Sequence, residues 1–213
     1  MGHEGLCRFL NHALRRAPFY FLINTNSLDE TTIEDIRFGL SVILDECRKD
    51  PYSLEVMHYS VIAFGDGVQR ILPLTEVHSD MGWLDKIERT FGSDSWFCGA
   101  LKLASEGVER EVRFGNDYRK GDWVPKMFIF TGPTGFNVDE CPSRIEKVKS
   151  QFRSPLILCV VGGDCDPNQM GLSKLSDTCF QVNKATKESF QEFIRWAFCV
   201  VWSDVEASIR SIP

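Results

Sequence analysis

The side chains that could carry chemistry are scattered along this chain. Eight cysteines stand at 7, 47, 98, 141, 159, 165, 179 and 199, with at least five residues between neighbours and no C-x-x-C pair, so the close ligand pairs of a zinc site are missing. The four histidines, His3, His12, His58 and His78, form no HxxxH pair. Cys165, beside Asp164 after Gly162-Gly163, is the strongest candidate nucleophile. Nucleophilic catalysis also needs a base held against the thiol, and the sequence names none. Gly132-Pro-Thr-Gly135 has the composition of a phosphate loop, but the Gly-Lys-Ser/Thr element is absent and the next lysine is Lys147. A Cys-dependent hydrolase or transferase is therefore a distant reading. The cysteines read as reduced thiols, several of them small core hydrophobes.

Composition narrows the classes further. A chain of 213 residues with 43% apolar and 25% charged residues fits one globular core. The 24 basic and 30 acidic residues give a net charge of −6, which argues against a dedicated polyanion binder and hence against nucleic acid. The longest unbroken apolar runs, such as Trp196–Trp202, reach only seven residues, far short of the ~20 needed to span a bilayer. No early apolar segment is long enough for a signal peptide. The expectation is a cytoplasmic protein that does not enter the membrane.

These residues must be positioned by strands alternating with helices. Pro18–Asn24 is a continuous apolar run of strand length, suited to a buried parallel strand. Thr31 and Glu34 offer a capping box for a helix carrying Ile33, Ile36, Leu40, Ile43, Leu44 and Cys47 at helical spacing. Val56–Phe64 and Val68–Leu74 flank Gly65-Asp66-Gly67 and predict an antiparallel hairpin. Met81–Glu88 and Cys98–Val112 read as helices, and Arg113–Asp122 as a solvated connection. Lys126–Thr131 and Leu156–Gly162 are further buried strands, with a helix from about Pro142 to Phe152 between them. A short helix around Gln169–Leu175, a strand at Cys179–Val182 and a helix at Lys187–Trp202 follow. This order predicts an α/β three-layer sandwich: a mainly parallel central sheet, one antiparallel edge strand, and helices on both faces. In such folds ligands meet the loops at the carboxyl ends of the strands.

The wording of several segments resembles a von Willebrand factor A domain (vWA), and most closely the bacterial tellurium-resistance TerY-type group. The resemblance rests on Pro18-Phe-Tyr-Phe-Leu-Ile-Asn24, Asp50-Pro-Tyr-Ser-Leu-Glu55, Val61-Ile-Ala-Phe64 with Leu72-Pro-Leu-Thr75, and Lys120-Gly-Asp-Trp123 before Met127–Thr131. It covers residues 17–202, leaving 1–16 as an N-terminal extension and 203–213 as a tail. It implies a Rossmann-like fold and a site for a divalent metal, built from an Asp-x-Ser-x-Ser loop, a Thr from a second loop and an Asp after a third strand.

Most positions of that metal site depart from the family pattern. Asn24 stands for the Asp, Asn26 for the first Ser, and Leu28, or Ser27 if the loop is one residue shorter, for the second. Ser95 takes the place of the Thr beside the bulky Trp96, and Gly132 begins the segment where the third-loop Asp is expected. Mg²⁺ takes about six hard oxygens, and here both core carboxylates are gone. Asp29, Asp94, Asp139 and Glu140 are rim carboxylates that, with Ser95, could rebuild a weak Mg²⁺ or Mn²⁺ site, or simply cap helices. The resemblance implies a degenerate site with no bound cofactor, in a non-catalytic scaffold or adaptor of a bacterial stress or defence system. Kinase and phosphatase components are the partners it suggests.

The contact face expected for a protein partner lies on the loops at 24–31, 92–98 and 132–140, with Asp29, Asp94, Ser95, Trp96 and Thr134 as candidates. Trp96 either fills the space of the missing metal or stands exposed as an anchor. On the last helix, Phe193, Trp196 and Val200 form a second apolar stripe beside Phe190, Ile194, Ala197 and Val201. Either the N-terminal segment around Leu6–Leu14 covers it, or Phe193 and Trp196 serve a partner or a homodimer.

Overall fold

Strand β1, Ala17–Asn24, is buried along its whole length, as a continuous apolar run at the centre of a parallel sheet must be. The computed structural model of the chain describes residues 15–78, 80–91, 96–116, 120–132, 136–162 and 178–182, with Leu175, Thr186, Glu188, Ser189, Glu192, Phe193 and Trp196. Around β1 the six described strands run in the order β3-β2-β1-β4-β5-β6. They are β2 (Met57–Gly65), β3 (Gly67–Glu76), β4 (Lys126–Thr131), β5 (Leu156–Val161) and β6 (Thr178–Val182). β1 pairs in parallel with β2 and β4, as β4 does with β5 and β5 with β6; only β2 and β3 are antiparallel. β3 is an edge strand and tolerates Pro73 there. Gly67, at φ 131°, takes a backbone that side chains disfavour and closes the hairpin.

Alternation along β1 splits the core in two. Phe19, Phe21 and Ile23 face helix α1 (Glu30–Lys49), whose Ile33, Ile36, Leu40, Ile43 and Leu44 are buried against them. Tyr20 and Leu22 point the other way, toward Phe97, Leu101, Ala104 and Val108 of the helix over Phe97–Glu111. Each fully buried Leu, Ile or Phe contributes about 1.5–3 kcal/mol, so both helices are fixed chiefly by this packing.

Several boundaries differ from the sequence reading. Helix α1 starts two residues earlier than the Thr31 capping box implies: Asp29 is the N-cap, and its Oδ1 accepts the Thr32 N–H at 2.7 Å. A short helix α2, Pro51–Val56, follows an Asp50 cap with proline in its first turn. Met81–Glu88 is not a helix; only Leu84–Lys86 forms a 3₁₀ turn, with Trp83 and Ile87 buried on either side. The helix over Phe97–Glu111 is α3. The helix expected at 142–152 is α4, Pro142–Glu146, continued by a π-helical turn over Lys147–Gln151. The short helix at 169–175 lies outside the described residues except for Leu175.

The Arg113–Asp122 segment is also not simply solvated. Asp122, only 4% exposed, pairs with Arg16 and accepts the Arg113 N–H at 2.7 Å. Arg16 also donates to the Glu111 carbonyl, while Arg15 donates to the carbonyls of Gly121 and Asp122 and lies over the Trp123 ring at 3.8 Å. This clamp at the amino ends of the strands ties the residues before β1 to the connection leading into β4.

Candidate functional site

The parallel register brings the ends of β1 and β4 side by side, with Ile23 opposite Phe130, so Asn24 and Thr131 become neighbours at the carboxyl edge. The Asn24 amide Nδ2 donates to Thr131 Oγ1 at 3.0 Å. From the loop after β1, Ser27 Oγ lies 3.2 Å from Thr131 Oγ1 and 3.2 Å from the Asn24 carbonyl. The Gly132 N–H donates to Ser27 Oγ at 2.9 Å. Asn24 and Thr131 are both fully buried. The four residues form an uncharged hydrogen-bonded cluster, with Leu28 buried beside it.

A divalent metal does not fit this cluster. Its side-chain donors are one neutral amide and two hydroxyls already bonded to one another, whereas hard cations are held by carboxylates. At Gly132 there is no room for a carboxylate: a Cβ would stand 2.0 Å from the Ser27 carbonyl oxygen. Asp29 is engaged elsewhere, and the bonds it accepts from Thr32 as the α1 cap, helped by Arg89, hold its carboxyl below the usual range.

A second layer, which the sequence reading missed, supports the first. The Thr25 N–H and Oγ1 both donate to the Phe64 carbonyl, at 2.7 and 3.1 Å, and Thr25 Oγ1 lies 2.9 Å from Thr90 Oγ1. Thr90 Oγ1 accepts the Asp66 N–H at 3.3 Å, and the Trp96 N–H reaches the Gly65 carbonyl at 3.4 Å. Gly65 must be bare, because a Cβ there would meet Thr90 Oγ1 at 2.0 Å. The Gly65-Asp66-Gly67 signal revealed a turn, but the Thr90 contact spans too much sequence to be read from it.

Of the partner candidates, Trp96 is 52% exposed at the start of α3 and stands at the rim, as does Asp29. Asn26 is half-buried in the same loop. Asp94, Ser95 and Thr134 lie outside the described residues, as does Cys165. Phe193 is corrected to a core residue: it is 1% exposed and packs against Phe128, Phe130 and Phe180 at ring distances of 5.6, 5.8 and 5.3 Å. Trp196 is half-buried, stacked on Phe180 at 5.8 Å. Phe193 and Trp196 therefore pack on aromatic residues of the sheet, and Val200 lies outside the described residues.

Three of the described thiols, Cys47, Cys141 and Cys159, are buried and poor nucleophiles. Burial pushes Cys47 up to about 12, and burial with the adjacent Cys98 thiol does the same to Cys141. Cys159, fully enclosed, is also raised. Among the described residues no three His, Cys, Asp or Glu side chains gather as metal ligands, and no helix is long and apolar enough to cross a membrane.

No family model and no curated protein matches the sequence. Solved structures do match the fold. Proximal thread matrix protein 1 from the mussel byssus is 14% identical, with a TM-score of 0.63 over 86% of this chain and 47% of its own. A von Willebrand factor type A structure from Catenulispora acidiphila is 14% identical, with a TM-score of 0.60 over 85% of this chain and 42% of its own. A form of the mussel protein with a zinc-occupied MIDAS (metal-ion-dependent adhesion site) motif is 15% identical, with a TM-score of 0.57 over 86% and 46%. The chain spans less than half the length of each of these proteins. Its fold is that of a vWA domain.

Proposed function

We propose that this chain is a non-catalytic protein-interaction module, a scaffold or adaptor, whose contact with its partner needs no metal bridge. The observation that carries the reading is the cluster of Asn24, Ser27, Thr131 and Gly132, hydrogen-bonded to one another and without a carboxylate, at the edge where a vWA metal site would stand. The mussel protein with zinc in its MIDAS motif shows that such a fold can hold a metal there; here the donor chemistry differs. The alternative, a metal rebuilt on the acidic rim, is disfavoured by the commitment of Asp29 to the α1 cap. Catalysis through Cys165 has no described base in its support.

The finer setting follows from the quoted sequence segments alone. Their TerY-type wording suggests a cytoplasmic role in bacterial tellurium resistance, stress or defence, with kinase or phosphatase components as partners and a homodimer as a further arrangement. The test is affinity purification from the native host with parallel washes in Mg²⁺ and in EDTA. The same partner should be retained in both. Release by the chelator would transfer the function to the metal-dependent alternative.

A further inference from the structure

Two aromatic side chains stand out in solvent beside the turn after β2. Phe91 is 75% exposed and Trp96 52% exposed, and both flank one turn: Thr90 Oγ1 accepts the Asp66 N–H, while the Trp96 N–H donates to the Gly65 carbonyl. Trp96 is held against the start of α3, with its ring edge near Gly99. Neither ring is needed by the core, and exposed aromatics anchored on one turn are the kind of side chain that dominates contact surfaces.

The charge around them is one-sided. The described residues at this edge include Asp29, Glu30, Asp66, Glu88, Asp139 and Glu140, against Arg89, Arg37, which donates to the Ile87 carbonyl, and, in the first turn of α4, Arg144. Helix N-termini account for part of this, since Asp29 caps α1. Burial, and then the charges of Asp29 and Glu34, raise the carboxyl of Asp35 further along α1. At the opposite edge the charge is paired, as Arg16 is with Asp122. The molecule itself shows how a guanidinium meets the rim, for Arg89 lies over the Phe91 ring at 4.8 Å.

We propose that the Phe91 and Trp96 rim docks a basic segment of a partner protein, an arginine or lysine stacking on the Trp96 indole while the surrounding carboxylates steer it in. This deepens the metal-free reading on which it rests, because the positive charge at the contact then comes from the partner. It also reverses the polarity of a metal-bridged contact, in which the partner supplies an acidic group.

The probes are two labelled peptides of equal length, one alternating arginine with glycine and one alternating glutamate with glycine, followed by fluorescence anisotropy in EDTA and in Mg²⁺. The arginine peptide should bind in EDTA and weaken with salt, and the glutamate peptide should not bind. Trp96→Ala should weaken the arginine peptide about fivefold or more, Trp96→Phe less, with the melting temperature of both variants unchanged. Equal binding by Trp96→Ala and the parent chain, or no binding of the arginine peptide, would overturn the docking proposal and leave the metal-free reading standing. Mg²⁺-dependent binding of the glutamate peptide would overturn both. Self-association that Trp96→Ala abolishes would make a second copy the occupant and also overturn the proposal.

Discussion

The two ends of the sheet solve the same problem in opposite ways. At the amino ends of the strands, charge is buried and paired: Asp122 receives Arg16 through two guanidinium nitrogens and the Arg113 N–H, and Arg70 pairs with Glu111, which also accepts the Leu74 N–H. At the carboxyl ends the buried groups are neutral, and the charges sit outside them in solvent. The first arrangement locks a connection in place. The second keeps its buried groups uncharged and leaves aromatic and acidic side chains exposed, the arrangement on which the proposed contact rests.

The contrast can be broken first at its most charged point. Asp122→Ala leaves the Arg16 guanidinium partly buried without its counter-charge, and breaking such a pair typically costs about 3–5 kcal/mol. Urea denaturation should show a loss of that order, larger than for any single change in the neutral cluster. A smaller effect is expected for Gly132→Ala, whose Cβ would press on the Ser27 carbonyl at 2.0 Å; overpacking of this kind costs roughly 1–3 kcal/mol. Trp96→Ala should leave stability within about 0.5 kcal/mol, as surface changes do. A large loss there would mean that the ring belongs to the fold and not to a contact.

Titration separates the buried groups from the exposed ones. Burial, aided by Arg16, holds His58 below its ordinary 6.5, so the native state favours the neutral ring. Its stabilising share is complete above that pH and is lost as the pH falls through the window beneath it. The buried thiols act at the other extreme. Cys47 and Cys141 are pushed from 9.0 up to about 12, so stability should decline as the pH rises from about 9 toward 12. Melting curves across both ranges check the two signs, with the His58→Asn variant flattening the acid limb.

Local features were legible in the sequence where local chemistry decides them. β1, β4 and β5 are continuous apolar runs, and the Gly65-Asp66-Gly67 hairpin closes as its residues demand. Helix α2 has its signal in Asp50-Pro51, a cap followed by a first-turn proline, but the apolar run beginning at Val56 favours a strand. Met81–Glu88 has helical spacing, yet burial of Trp83 and Ile87 is achieved by a single 3₁₀ turn. What remained hidden is non-local. The Arg16 and Asp122 pair spans 106 residues, and no pattern around Asp122 announces its burial. At the site, the substitutions Asn24 and Gly132 could be seen in the chain, whereas their closure through Ser27 and Thr131 needed the sheet to bring them together.

The central claim, that this edge works without a metal, is tested most directly by melting the EDTA-treated chain with increasing Mg²⁺ and then Mn²⁺. A cation held only by the native state must raise the melting temperature by mass action. The neutral cluster predicts no saturable shift with either ion. A saturable rise that EDTA reverses would contradict it.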